Sequence, residues 1–139
     1  MARMNWLFKE EPSHYSFDAL VKDKQTVWSG VKNPLAQKHL HSVKKADRIF
    51  YYHTGDEKAI VGLARITGVP RPDPKDPKLA VVDIEAAGRV PTPVTLAAVK
   101  ADPAFADLGL VRMSRLSVIP VPPAQWRRLL AMAGAAGLD

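Results

Sequence analysis

The sequence predicts an α+β domain built around a curved sheet or small barrel, and three observations predict it. The apolar segments are short, bounded by turn residues and interleaved with small helical patterns. Two of them, residues 48–53 and 59–67, flank Thr54-Gly55-Asp56 at hairpin spacing, which favours antiparallel pairing over βαβ units. The chain has 139 residues, 47% hydrophobic and 24% charged, enough to bury a core without staples. One domain over residues 1–139, with its core over about 5–134, is therefore expected.

The elements follow in order. Residues 5–9 read as a first strand holding Trp6 and Phe8, broken by Glu11, Pro12 and Ser13. Residues 16–22 read as a short helix with Phe17, Leu20 and Val21 apolar, and 26–28 as a brief extended piece. Asn33 is a good N-cap and Pro34 suits the first helical position. The helix that follows puts Ala36, Leu40 and Val43 on one face and Gln37, Lys38 and His41 on the other.

Residues 48–53 form a strand rich in aromatic residues, and 59–67 its return, where Gly62 marks a bulge or a close backbone approach. Residues 70–77 read as a stiff proline- and aspartate-rich loop, and 79–86 as another strand. Thr95 caps a short helix with Leu96 and Val99, stopped at Asp102-Pro103. Residues 116–121 are a late strand. Pro122-Pro123 opens a last helix with a stripe of Trp126, Leu129, Leu130 and Ala133, and Gly134 ends it.

The net charge of +6 favours a polyanionic partner such as nucleic acid, though the same charge also serves solubility. Lys32, Lys38, Lys44, Lys45 and Arg48 gather in one stretch, and Arg112, Arg115, Arg127 and Arg128 in another. The absence of cysteine excludes disulfides, thiolate metal sites and cysteine nucleophiles. No apolar run is long enough for a membrane span, and the N-terminal stretch lacks a signal-peptide pattern, so a cytoplasmic, intracellular protein is expected. There is no phosphate-binding glycine motif and no nucleophile elbow. The four histidines show no metal-ligand spacing, so neither metal nor cofactor is expected.

The segment Trp28-Ser29-Gly30-Val31-Lys32-Asn33 sets an aromatic ring, a glycine, a cation and an amide at a helix entrance. Such a ledge suits a flat ligand with polar edges, and a nucleobase is the obvious one. Ordinary core packing of Trp28 is the competing reading, but a tryptophan beside Ser-Gly in a loop is not easily buried whole. Alternation puts Tyr51 and Tyr52 on opposite faces of their strand, one toward the core and one toward a cavity or solvent.

Five ordered motifs carry a resemblance. They are Lys9-Glu10-Glu11-Pro12, the Trp28 to Asn33 hexad, Phe50-Tyr51-Tyr52-His53-Thr54-Gly55, Pro91-Thr92-Pro93-Val94-Thr95-Leu96, and Arg115-Leu116-Ser117-Val118-Ile119-Pro120-Val121. Together they resemble the EVE domain family, which has a PUA-like fold and includes the thymocyte nuclear proteins. The resemblance implies a mixed β pseudobarrel with short surrounding helices and a pocket for a flipped, chemically modified base in DNA or RNA. By motif, Trp28, Ser29, Gly30, Val31 and Asn33 form one wall and Tyr52, His53 and Thr54 another. Leu116 and Ser117 close the pocket, with Lys9, Glu11 and Pro12 at the rim. Lys32, Lys38 and Arg115 are the candidates for phosphate contact. The family commonly has an arginine where Lys32 stands and an acidic residue where Ser29 stands, and lysine lacks the bidentate fork of arginine.

The function expected is a non-enzymatic, nucleic-acid-binding module that accommodates a modified base, a methylated cytosine or similar. On this reading Trp28→Ala keeps the fold and loses the preference for modified strands. The alternative is a small enzyme acting on a modified nucleoside or other planar substrate, with Glu11, Tyr52 or His53 as acid or base. A third reading is a protein-interaction module with a vestigial pocket. The sequence leaves oligomeric state and the choice between DNA and RNA open.

Overall fold

A computed structural model describes residues 4–136. Seven strands run β1 Asn5–Glu10, β2 Gln25–Trp28, β3 Arg48–His53, β4 Ala59–Ile66, β5 Arg71–Asp73, β6 Asp76–Thr95 and β7 Val118–Pro120. The helices are α1 Pro12–Tyr15, α2 Phe17–Asp23, α3 Pro34–Ser42, α4 Leu96–Lys100, α5 Gly109–Arg112 and α6 Pro123–Met132. The sheet order is β2-β6-β4-β3-β1-β7, with β5 paired to β6. Among the described residues only the β1–β3 pair is parallel; β3 and β4 are the antiparallel hairpin that the spacing predicts.

The sheet rolls up without closing. β2 and β1 are four places apart in its order, yet the Trp28 and Phe8 rings on them are 5.3 Å apart. This is the mixed pseudobarrel that the resemblance implies. Its bend is set at Gly62, where the pairing of β4 with β6 shifts register. A Cβ on Gly62 would lie 2.3 Å from the Phe17 ring, so α2 packs onto a strand that must be bare there. The strand glycine thus marks both a bulge and a close approach.

Buried polar groups fasten the edges. Asp47, 1% exposed, accepts hydrogen bonds from the Trp6 indole N–H at 2.9 Å, the Lys44 N–H at 2.9 Å and the Met4 N–H at 3.0 Å. Trp126 of α6 packs on Phe50 with ring centroids 3.9 Å apart. Thr95 caps α4 as its type predicts, accepting from the Ala98 N–H.

Three elements differ from expectation. The strand read over 79–86 runs on to Thr95, because backbone pairing with β4 resumes beyond Gly88 through register shifts. The loop read over 70–77 holds β5, a hairpin arm turning at Pro74-Lys75, where Asp73 accepts from the Lys75 N–H. Gln37, assigned to the solvent face of α3, is buried. Its amide donates to the Val31 carbonyl at 2.6 Å, and its oxygen accepts from the Ala80 N–H at 2.8 Å.

Candidate nucleic-acid interface

The Trp28 to Asn33 segment leaves β2 and enters α3. Asn33 caps that helix through the Ala36 N–H at 3.0 Å, and Pro34 takes the first position. Gly30 adopts φ +77°, a left-handed conformation that lets the chain reverse between strand and helix. Val31 turns into the core, and Gln37 holds its carbonyl. The segment is therefore a braced loop with Ser29, Gly30, Lys32 and Asn33 exposed.

Trp28 is only 4% exposed. Its ring lies between Phe8 and Tyr51, edge-on to the latter at 5.5 Å and 87°. This corrects the sequence reading: the tryptophan is a core ring with one edge bared, because the rolled sheet brings β1 over it. A change to alanine would open a core cavity, so the expectation that Trp28→Ala keeps the fold does not hold.

The candidate residues separate into three hollows. The first, of about 180 Å³, lies between the end of β1 and β2. Its lining includes Trp28, Ser29, Glu10, His14 and Tyr15. Glu10 approaches the His14 ring at 3.2 Å and accepts from the Glu11 N–H, while Tyr15 donates to Asp23 at 2.8 Å. Burial and that Asp23 bond push the Tyr15 phenol up from its ordinary pKa, so it stays a neutral donor.

The second hollow, of about 300 Å³, holds Tyr52, Thr54 and Lys9. Lys9 and Tyr52 are register partners on β1 and β3. Burial lowers the pKa of Lys9 and raises that of Tyr52. The third hollow, of about 340 Å³, holds Asn33, Leu116 and Arg115, with Arg112 beside them. Ser117 lies next to these, its carbonyl accepting the Lys9 N–H at 2.9 Å.

His53 belongs to none of these hollows. Its Nε2 accepts from the Phe17 N–H at 2.9 Å, which leaves the proton on Nδ1, and Nδ1 lies 2.6 Å from Glu57. Strand alternation puts His53 with Tyr51 on the barrel side and Tyr52 on the other, so the expected Tyr52, His53 and Thr54 wall is split. Glu11 is exposed beside Gly55 and Thr54, accepting from the Thr54 hydroxyl at 3.3 Å, and Pro12 starts α1. Lys32 and Lys38 are exposed on the loop and on α3.

Sequence reasoning missed Glu10, His14 and Tyr15 in the first hollow. Alternation from the buried Phe8 would have found Glu10, two residues on along β1. Among the described residues no group of three or more ligating side chains could hold a metal ion, and no helix is long and apolar enough to cross a membrane.

An open mixed sheet with a braced Trp-Ser-Gly loop defines a PUA-like domain. The chain belongs to the EVE domain family, whose sequence pattern matches residues 4–132. Three solved structures place it further. A solution structure from Rhodopseudomonas palustris shares 44% identity, with 94% of this chain and 93% of that one covered and a TM-score of 0.90. A crystal structure from Agrobacterium tumefaciens shares 33%, covering 96% and 94%, with a TM-score of 0.92. Human THYN1, in complex with DNA containing 5-methylcytosine, shares 23%, covering 94% and 97%, with a TM-score of 0.85. A search of curated protein sequences finds no significant match.

Proposed function

We propose that this chain binds nucleic acid carrying a modified base, methylated cytosine or similar, and that the hollow between β1 and β2 receives that base. The observation that carries this reading is the hollow itself. At about 180 Å³ it suits one planar ring better than a whole nucleotide. Its wall combines the bared edge of Trp28 with polar groups of Ser29, Glu10 and Tyr15. Family membership supports the reading, as does the capture of human THYN1 on 5-methylcytosine DNA.

The energetics assign roles. Extruding a base costs a few kcal/mol. Full stacking on an aromatic face returns about 1–3 kcal/mol, and the bared edge of Trp28 supplies only part of that. A buried methyl adds about 0.8 kcal/mol, a several-fold preference. Sharper discrimination rests on hydrogen bonds, for which Glu10 and Ser29, both lining the hollow, are the candidates. Phosphate contacts supply the remaining affinity. Lys32 and Lys38 are exposed for this, and Arg115 lines the neighbouring hollow with Asn33.

The test is a fluorescence-anisotropy titration of DNA and RNA oligonucleotides, plain and modified, at two salt concentrations. The reading expects a preference for one modified strand that persists at both. Equal binding of every strand with a steep salt slope would reduce the protein to a basic surface.

A further inference from the structure

The hollow on the opposite face of β1 is not needed by the base, and its chemistry points to a different ligand. Lys9 and Glu10 are adjacent on the strand, so they face opposite sides; Glu10 lines the base hollow and Lys9 the other. Three lysines from three elements line it: Lys9 on β1, whose ammonium donates to the Ser114 carbonyl at 2.7 Å, Lys58 just before β4, and Lys100 at the end of α4. No carboxylate side chain lines the hollow. Of the acidic groups nearby, Glu57 is engaged with His53 at 2.6 Å and Glu11 with the Thr54 hydroxyl, while Asp56 is exposed in the turn and does not line the hollow.

Tyr52 is the second, independent observation. The residue is 3% exposed and lines this hollow, yet its hydroxyl makes no hydrogen bond among the described residues. A buried phenol normally finds a partner. The hydroxyl is not fully enclosed, and Tyr52 lines this hollow. Lys58 has φ +46°, a strained position for a residue with a side chain, and its carbonyl is held by the Leu96 N–H at 2.8 Å. The strain fixes where the Lys58 side chain leaves the backbone. Leu96 and Leu110 supply an apolar wall in a volume of about 300 Å³, the lower end of the range for small-ligand sites.

We propose that this hollow binds a phosphomonoester attached to a planar or apolar body, as in a nucleoside 5′-monophosphate. Three lysines match a dianionic group with several oxygens better than a single carboxylate, and lysine serves phosphate as a point charge. The Tyr52 hydroxyl donates to a phosphate oxygen, and the leucine wall takes the nucleoside. The source is either a free nucleotide or the phosphorylated 5′ end of a strand, which present the same group. This inference stands apart from the base-binding reading, since it uses the other face of β1.

Isothermal titration of the full chain in about 0.15 M salt tests it, with deoxycytidine 5′-monophosphate compared with deoxycytidine. A 5′-phosphorylated oligonucleotide compared with its 5′-hydroxyl form distinguishes the two sources. The phosphorylated member of at least one pair should bind tenfold or more tightly. The double variant Lys58→Gly with Lys100→Ser, both at exposed positions, should lose that advantage at an unchanged melting temperature. Tyr52→Phe should weaken it several-fold. Equal binding of both members in each pair overturns the proposal, as does a double variant that binds like the parent chain.

Discussion

The ring of Phe17 occupies the space where any side chain on Gly62 would begin, with its Cζ 2.3 Å from the Cβ position. This contact joins α2 to the middle of β4. Gly62→Ala should therefore destabilise the fold by about 1–3 kcal/mol through overpacking. Phe17→Leu in the same chain should recover part of that loss. Chemical denaturation of the two single variants and the double gives the coupling, and strictly additive effects would remove the contact from the account.

His53 links the same helix to β3. With Nε2 accepting from the Phe17 N–H and Nδ1 beside Glu57, the ring is a structural bridge. His53→Ala should cost about 1–3 kcal/mol, because it leaves a buried N–H unpaired. Glu57→Gln should cost less, since an amide oxygen still accepts at that exposed position. Thermal melts rank the two variants.

Gln37 braces the loop that borders the hollow between β1 and β2, bonding to both the Val31 carbonyl and the Ala80 N–H. Gln37→Ala should cost about 1–3 kcal/mol and free this loop. Hydrogen exchange at the Ala80 N–H should quicken by tenfold or more, while exchange in β3 stays slow.

Trp28 packs across the rolled sheet against Phe8 of β1 and Tyr51 of β3. Trp28→Ala should destabilise by about 3–5 kcal/mol, and Trp28→Phe by markedly less. Differential scanning fluorimetry of both separates this packing role from any part in binding.

The strand pattern, the β3–β4 hairpin, the caps at Asn33 and Thr95 and the close approach at Gly62 were legible in the sequence, because each is a local signal. The length of β6 was not, since its second half is held only by long-range pairing with β4 through register shifts. The site was legible in part. The motifs named Trp28 and Ser29, which line one hollow, but sequence order cannot show that the rolled sheet buries the Trp28 face or that alternation sends Tyr52 and His53 apart. The lysines at 58 and 100 carry no motif; only the fold brings them to Lys9.

The central claim is that the hollow beside Ser29 receives the modified base. Ser29 is exposed and on its rim, so Ser29→Trp fills the hollow without entering the core. Anisotropy titrations of parent and variant with a 5-methylcytosine strand and its plain counterpart measure this most directly. The account predicts that the parent prefers the modified strand, and that the variant loses the preference while keeping salt-dependent binding to both. A variant that discriminates as well as the parent, at the same melting temperature, would place the base elsewhere.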